Sequence, residues 1–396
     1  MRFRYPLLFA AAAVLVAGCA SPPERQLSTV VSPYASLPNG HDPIDVTRYK
    51  AILVPSEESE IVGVIPYFEK VRGRPLNIVE LSGGGQNGAF TAGLMNGWTA
   101  SGERPQFDIV TGVSAGALAA THVFLGTPAD DKVLEQIFTG VDRGDIYTDN
   151  SVLGVVGGDP SLFDTAPLHK LMERIITPAV LAQVAQAYDE GRRLLVGTTN
   201  LDYEQTWVWD MTLMAKEARP GYEDLYRRVL IASASPPVAF PPVEIDGHLF
   251  ADGGTRSNLL AVGMAGEAKP TPPRFGPGNI FAVNNGRLPA KPKAIRDTLI
   301  DIAADGVKAS LKASMETALM RAYFAAVSWG YRFHYVEIPH STEIGHDMLA
   351  FDPVQMKAAY DAGQALGLRP GTWAASPALL SDIPDWLLEE LRARSP

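Results

Sequence analysis

The sequence predicts an α/β protein, a three-layer sandwich in which helices cover both faces of a mainly parallel sheet. Three observations predict it. Short apolar runs typical of buried strands alternate with helix-like stretches from Pro75 onward, and glycine-rich turns follow the first two of these runs. The chain also has 396 residues, 46% of them apolar, which is enough to bury a large core without disulfides.

The first part of this pattern repeats strand, turn and helix twice. Residues 76–81 are an apolar run typical of a buried strand, and a glycine loop and a helix-like stretch at 89–100 follow it. Residues 107–110 form a second such run, followed by a tight turn and an alanine-rich helix over 115–124. This alternation predicts parallel pairing, because a crossover helix returns the chain to the same end of the sheet.

The later elements are predicted from the same signals. Further strands are expected at 194–199, 247–251, 279–283 and 332–338. A long helix is expected over 291–330, and its second half, 318–329, is almost wholly apolar. That composition favours packing against the core over a lid or a membrane contact.

The charge balance excludes one class of partner. The chain has 34 basic and 44 acidic residues, a formal charge of -10, and no basic stripe. Nucleic-acid binding requires clustered Lys and Arg, so no nucleic-acid partner is expected. A single cysteine also excludes internal disulfides and cysteine-based metal sites.

The N-terminal residues have the pattern of a targeting segment. Arg2 and Arg4 precede ten apolar residues, 7–16, a run far shorter than the ~20 that a membrane-spanning helix needs. This predicts a signal peptide over 1–18. The sequence Leu-Val-Ala-Gly before Cys19 resembles the bacterial lipoprotein box, which implies that Cys19 is lipidated and becomes the mature N-terminus. The alternative is an ordinary signal peptide in which Cys19 has no role.

A lipid anchor implies a location in the bacterial cell envelope. Ala20 is not the aspartate that favours retention in the inner membrane, so anchoring in the outer membrane is expected. Several acyl chains hold a protein on a bilayer whatever its net charge, which makes the membrane an expected partner despite the acidic composition.

The rest of the chain divides into a tether and one catalytic domain. Residues 19–45 contain the lipidated cysteine and a Pro- and Ser-rich stretch typical of an extended linker. Residues 46–396 are expected to form a single domain, with the main motifs in 76–260 and a helical extension over 291–396. An amphipathic stretch at 381–394 is expected to dock on that domain.

Ser114 lies in a pattern typical of a nucleophile. Gly112-Val113-Ser114-Ala115-Gly116 stands between the second predicted strand and the alanine-rich helix. A tight strand-to-helix turn exposes a serine hydroxyl, and Gly112 and Gly116 remove the side chains that would clash in it. The start of the helix also favours a developing negative charge near Ser114.

A glycine loop at 83–88 follows the first strand. Consecutive glycines let backbone N–H groups converge on an anion, which suits an oxyanion hole or a phosphate cradle. The spacing also fits the dinucleotide pattern G-x-G-x-x-G, but that fold places an acidic residue at the end of its second strand, where this chain has Thr111. The nucleotide interpretation is therefore disfavoured.

Asp252-Gly253-Gly254 supplies a candidate base. The aspartate follows the strand-like run 247–251, and a serine nucleophile needs a group that accepts its proton. Four prolines between 236 and 242 make the approach to Asp252 rigid.

Together, these motifs resemble the patatin-like phospholipase family. A glycine triplet after a first strand, G-x-S-x-G, and D-G-G about 140 residues later carry the resemblance, with supporting stretches at 198–202, 232–237 and 240–243 and with Asn258. The resemblance implies a patatin-like α/β sandwich that hydrolyses lipid acyl esters with a Ser-Asp dyad, without metal or cofactor. It assigns Ser114 as nucleophile and Asp252 as base. It also implies an oxyanion hole at Gly83, Gly84 and Gly85, supported by Gly88, Gly112, Gly116 and Gly253. Asn87 stands where the family usually has Arg or Lys.

Two alternatives remain open from the sequence. An α/β-hydrolase-type esterase would use a Ser-Asp-His triad, and His340 or His346 would complete the order Ser, Asp, His. A non-catalytic envelope lipoprotein on the same fold is the other, and Asn87 is the residue that favours it. The expected substrate is a lipid or another acyl ester, cleaved as by a phospholipase A, a lysophospholipase or a simple esterase.

Overall fold

The computed structural model describes residues 69, 72–151, 159–260, 275–288, 295, 297, 299–345, 347–369 and 371–377. The predicted signal peptide, Cys19, the tether and the stretch at 381–394 lie outside the described residues, as does His346. Among the helices within the described ranges, none is both long enough and apolar enough to cross a membrane.

One sheet of eight strands forms the centre of the protein. The ten strands of the described residues are β1 Asn77–Leu81, β2 Ile109–Val113, β3 Thr148–Asp149, β4 Phe163–Asp164, β5 Arg193–Asn200, β6 Gln205–Asp210, β7 Val243–Ile245, β8 His248–Asp252, β9 Asn279–Asn284 and β10 Arg332–Glu337. The order in the main sheet is β10-β9-β1-β2-β5-β8-β7, and β6 pairs with β5. Strands β10, β9, β1, β2 and β5 are parallel to one another, whereas β6 and β8 run antiparallel to β5 and β7 runs antiparallel to β8.

Helices cover both faces of this sheet. The helices with described bounds are α1 Gly88–Ala100, α2 Ala115–Leu125, α3 Pro128–Thr139, α4 Arg143–Ile146, α5 Ala166–Ile175, α6 Pro178–Asp189, α7 Met211–Glu217, α8 Tyr222–Ser233, α9 Leu299–Ser328 and α10 Pro353–Gly367. One core contains buried residues of α1, α2, α8 and α10, and the other contains the second half of α9. Alternate residues of the sheet enter the two cores: Val79 and Leu81 enter the first, and Ile78 enters the second. The predicted three-layer, mainly parallel sandwich is confirmed.

The predicted strands and helices that fall within the described residues are found, with shifted boundaries. The second strand begins at Ile109 rather than at residue 107, because Asp108 is occupied by polar contacts at the strand entrance. Its carboxylate accepts hydrogen bonds from Arg72, Arg74 and the backbone N–H of Asn77 at 2.7 to 2.9 Å. The apolar half of α9 packs against the sheet as expected, with Leu319 and Ala326 fully buried.

Candidate active site

The pairing of the strands brings the predicted serine and aspartate to one level of the sheet. Ser114 follows β2, whose last residue, Val113, lies opposite Gly197 of β5. The next residue of β5, Thr198, lies opposite Asp252 of antiparallel β8. Ser114 and Asp252 therefore approach each other across β5, although 137 residues of the chain separate them in sequence.

Ser114 adopts a backbone conformation that non-glycine residues rarely adopt. Its φ is 55° and its ψ is -126°, a combination that costs on the order of 1–3 kcal/mol for a residue with a Cβ. The turn is held by Ser233, whose hydroxyl accepts a hydrogen bond from the Ser114 N–H at 3.0 Å and donates one to the Gly197 carbonyl at 2.6 Å. This turn places the serine hydroxyl at the N-terminus of α2.

Four glycines leave the space in which this turn is packed. A Cβ atom at each would lie far inside normal contact distance of its neighbour. A Cβ on Gly112 would lie 2.6 Å from the Gly116 carbonyl oxygen, and one on Gly116 would lie 2.4 Å from the Leu81 carbonyl oxygen. A Cβ on Gly88 would lie 2.4 Å from the Phe138 ring, and one on Gly253 would lie 2.4 Å from the Gly197 carbonyl oxygen. These are the four glycines that the resemblance assigns as support, and close packing explains each: against backbone at Gly112, Gly116 and Gly253, and against a side chain at Gly88.

Asp252 is buried and lies beside Ser114. Only 4% of the residue is exposed. Its carboxyl group accepts a hydrogen bond from the Gly254 N–H at 2.7 Å, and the Ser114 hydroxyl lies near enough to lower its pKa. Burial raises the pKa of Asp252 to about 6, although the Ser114 hydroxyl and the Gly254 N–H act in the opposite direction. The carboxyl is thus a stronger base than an exposed aspartate.

The glycine loop lies beside Ser114, but not all of its N–H groups are available. The N–H of Gly83 donates to Asn258 Oδ1 at 2.8 Å. The sequence prediction that Gly83 is an oxyanion donor therefore does not fit its geometry, because its donor is already used. Gly83 instead gives close approach, since a Cβ there would lie 2.8 Å from the Ser114 Cβ. In the described part of the chain, the N–H groups of Gly84 and Gly85 have no acceptor.

The described histidines lie in other environments. His340 has a side chain that is 49% exposed, and its Nε2 lies 3.8 Å from Glu337. His334 stacks on Phe281 on β9. Within the described ranges, neither Ser114 nor Asp252 has a histidine among its hydrogen-bond partners. Those ranges also contain no group of three or more His, Cys, Asp or Glu that could hold a metal ion.

Three residues that support the site were not assigned roles from the sequence. Ser233 fixes the serine turn, and Asn258 joins the glycine loop to the turn after Asp252. Asn285 donates from its side chain to the Ser82 carbonyl and from its backbone to the Ser82 hydroxyl, both at 2.8 Å. Ser233 and Asn258 lie in stretches that carry the family resemblance, but nothing in those stretches indicates the partners.

The part of the chain that contains these residues is similar to known proteins. A family model described as "Patatin-like phospholipase" matches residues 80–264, a little under half of the chain, and this span includes Ser114 and Asp252. Calcium-independent phospholipase A2-gamma from Mus musculus and from Rattus norvegicus are each 26% identical over 133 residues, which is 32% of this chain and 17% of either relative.

Among solved structures, VipD from Legionella pneumophila is 14% identical, with a TM-score of 0.40 over 74% of this chain and 66% of that chain. The match to the two phospholipases spans less than a fifth of their length. The family match supports lipid acyl hydrolase activity and, with the mainly parallel sheet, the patatin-like fold.

Proposed function

We propose that the protein is a membrane-anchored serine hydrolase that cleaves carboxylic esters of lipids with a Ser114–Asp252 dyad. The observation that carries the proposal is the position of the Ser114 hydroxyl beside the buried carboxyl group of Asp252, whose pKa is raised to about 6. The nucleophile, the base and the glycine loop then lie side by side at the C-terminal end of β2.

The reaction follows from what each group can do. As Ser114 Oγ attacks the ester carbonyl, Asp252 accepts the hydroxyl proton, and the carbonyl oxygen becomes an anion. The N–H groups of Gly84 and Gly85 stabilise that anion, aided by the N-terminus of α2. Asp252 returns the proton to the leaving alcohol, which leaves an acyl group on Ser114. Water then attacks the acyl-enzyme, with Asp252 again taking and returning a proton.

The raised pKa explains how a carboxylate serves in place of histidine. An unperturbed aspartate titrates near 3.9 and is a poor base toward a serine hydroxyl. Burial brings the pKa of Asp252 to about 6, closer to neutral pH, while the group remains largely ionised at pH 7. No third residue is then needed to accept the proton.

Lipid substrates and the anchor are part of the proposal. The family match and the phospholipase relatives favour lipid esters over other acyl compounds. The lipoprotein box at Cys19 would hold the enzyme at the surface of a bilayer, in the outer membrane by the sorting signal, where such substrates are concentrated.

Product analysis tests the proposal. Full-length protein in detergent is incubated with mixed bacterial phospholipids, and released fatty acids and lysophospholipids are measured. We expect both products from the native protein and none above background from Ser114→Ala. A fluorophosphonate should label the native protein at Ser114. A folded preparation that releases no fatty acid and is never labelled would contradict hydrolysis and favour the non-catalytic envelope protein.

The histidine variants decide between dyad and triad. His340→Ala and His346→Ala are each expected to keep most of the activity, because the dyad requires neither. A loss in either variant as large as that in Ser114→Ala would favour the triad.

The pH dependence of hydrolysis is a further expected result. The base must be ionised, so kcat/KM should fall as the pH drops through about 6, with a single ionisation. A simple water-soluble ester separates this effect from changes in the lipid. An ascending limb centred near 4 would mean that Asp252 is not desolvated in the working enzyme.

A further inference from the structure

The side chain of Gln86 makes an unusual set of contacts for a residue in a glycine loop. It is fully buried. Its amide nitrogen donates to the Asp347 carbonyl at 2.8 Å and to Gln355 Oε1 at 2.9 Å, and its amide oxygen accepts from the Asp352 N–H at 2.8 Å. All three partners lie more than 260 residues later in the chain and outside the span 80–264 that matches the family model.

The backbone of the loop contacts the same segment, residues 347–355, called here the brace. The Gln86 N–H donates to the Met348 carbonyl at 2.9 Å. Gly85 has a φ of 56°, and a Cβ there would lie 2.1 Å from that same carbonyl oxygen. The brace therefore fixes both the side chain of Gln86 and the backbone on its N-terminal side.

The brace is itself held rigidly against the helix that follows the loop. Asp352 caps α10 by accepting from the N–H groups of Val354 and Gln355. Helix α10 then packs on α1 with the two backbones in close contact, because glycines of each helix face the other. A Cβ at these glycines would lie 1.9 to 2.3 Å from a carbonyl oxygen of the facing helix: Gly93 and Gly97 of α1, and Gly363 and Gly367 of α10.

We propose that Gln86 is a positioning residue for the oxyanion hole, acting through the backbone of Gly84 and Gly85. The inference rests on the proposed function, because it concerns the N–H donors of that reaction. Oxyanion donors act only when they are aimed within about 0.5 Å at the developing charge, and loss of one such donor costs about 10²–10³ in kcat. The loop 83–88 contains no charged side chain, so its shape is held by hydrogen bonds between uncharged groups, among them those of Gln86 to the brace.

The kinetic test uses Gln86→Leu, which removes all three side-chain hydrogen bonds. We expect kcat on a soluble ester to fall by about 10²-fold, with KM changed by less than about threefold, because ground-state binding does not use the oxyanion donors. The affinity for a trifluoromethyl ketone, which forms the tetrahedral anion, should fall in parallel with kcat/KM. The pH midpoint should stay near that of the native protein, because Asp252 is untouched.

Asn96→Leu is the matched control. Its side chain also joins α1 to α10, donating to the Tyr360 hydroxyl at 2.6 Å, but it does not contact the loop. This variant should lose stability without loss of kcat. If Gln86→Leu does not fold, Gln355→Ala is the second variant, because it removes one hydrogen-bond partner of Gln86 without changing the loop itself. We expect kcat to fall roughly tenfold in this variant, with KM unchanged.

Hydrogen exchange separates this inference from the proposed function. The backbone amides of residues 82–90 should exchange faster in Gln86→Leu, or in Gln355→Ala, than in the native protein. Their exchange rate should be unchanged in Asn96→Leu. Both results are expected whether or not the protein hydrolyses esters. If the native protein has no esterase activity and the Gln86→Leu variant still exchanges faster, the proposed function is overturned, and what remains is that Gln86 fixes the glycine loop. A folded variant with native kcat, native ketone affinity and native exchange would overturn the positioning role alone.

Discussion

Asp252→Asn is expected to abolish ester hydrolysis and, at neutral pH, to make the folded protein more stable. The amide has the shape of the carboxylate and can still accept the hydrogen bond from Gly254 N–H. It cannot accept a proton from Ser114, and loss of a general base typically costs about 10²–10⁴ in rate. We expect kcat/KM to fall at least about 10³-fold, measured on a soluble ester.

The gain in stability follows from the direction of the pKa shift. The pKa of Asp252 is raised in the folded protein to about 6 from an unfolded value of 3.8, so the folded state holds this proton more tightly. The resulting stabilisation is fully present below pH 3.8 and is lost as the pH rises through 6. Above that, the buried carboxylate destabilises the fold by about 3 kcal/mol relative to a group that does not titrate. Urea unfolding at pH 7.5 should show the gain, and at pH 4 it should be nearly absent.

Asp130→Asn provides the opposite case. Asp130 is also buried, but hydrogen bonds from His122 and Thr127 outweigh that burial and lower its pKa. Its replacement should therefore cost stability at pH 7.5 and leave hydrolysis intact.

Equal stability of native protein and Asp252→Asn at both pH values would contradict a desolvated carboxylate. More than a tenth of native activity in Asp252→Asn would contradict its role as base.

The parts of the site that the sequence predicts are those set by local chemistry. Gly112 and Gly116 flank Ser114 because a strand-to-helix turn leaves no room for side chains, and that requirement is visible within five residues. The apolar runs of β1, β5 and β9 predict buried strands for a similar reason, since each is buried on both faces.

The contacts between distant segments could not be predicted in this way. Gly83 lies in a glycine run typical of oxyanion donors, but its N–H donates to the side chain of Asn258, which is 175 residues away in sequence. Asp252 lies opposite Thr198 because β8 runs antiparallel to β5. An apolar run in the sequence does not indicate in which direction the strand will pair. The glycine spacing of α1 and α10 is visible in the sequence, yet it gains meaning only once the two helices are known to be neighbours.

Ser114→Gly is expected to abolish hydrolysis and to yield a more stable protein than Ser114→Ala. Both variants lack the nucleophile, and both lose whatever the Ser114 hydroxyl contributes to the environment of Asp252. They differ in the backbone, because φ of 55° with ψ of -126° is readily adopted only by glycine. The backbone strain of about 1–3 kcal/mol is relieved in Ser114→Gly and kept in Ser114→Ala.

The sign of this comparison is what makes it informative. At an unstrained position glycine is less stable than alanine by about 0.5–1 kcal/mol, because the unfolded chain has more freedom to lose. At Ser114 we expect the reverse, with glycine ahead by about 1 kcal/mol in urea unfolding at pH 7.5. Gly254 has no positive φ, so Gly254→Ala is the control for backbone strain. A loss of stability in that variant reports only the crowding of the added Cβ, which would lie 3.0 Å from Asp252 Oδ1. If alanine proves more stable than glycine at position 114, the turn does not hold the serine under strain, and the exposed hydroxyl would need another cause.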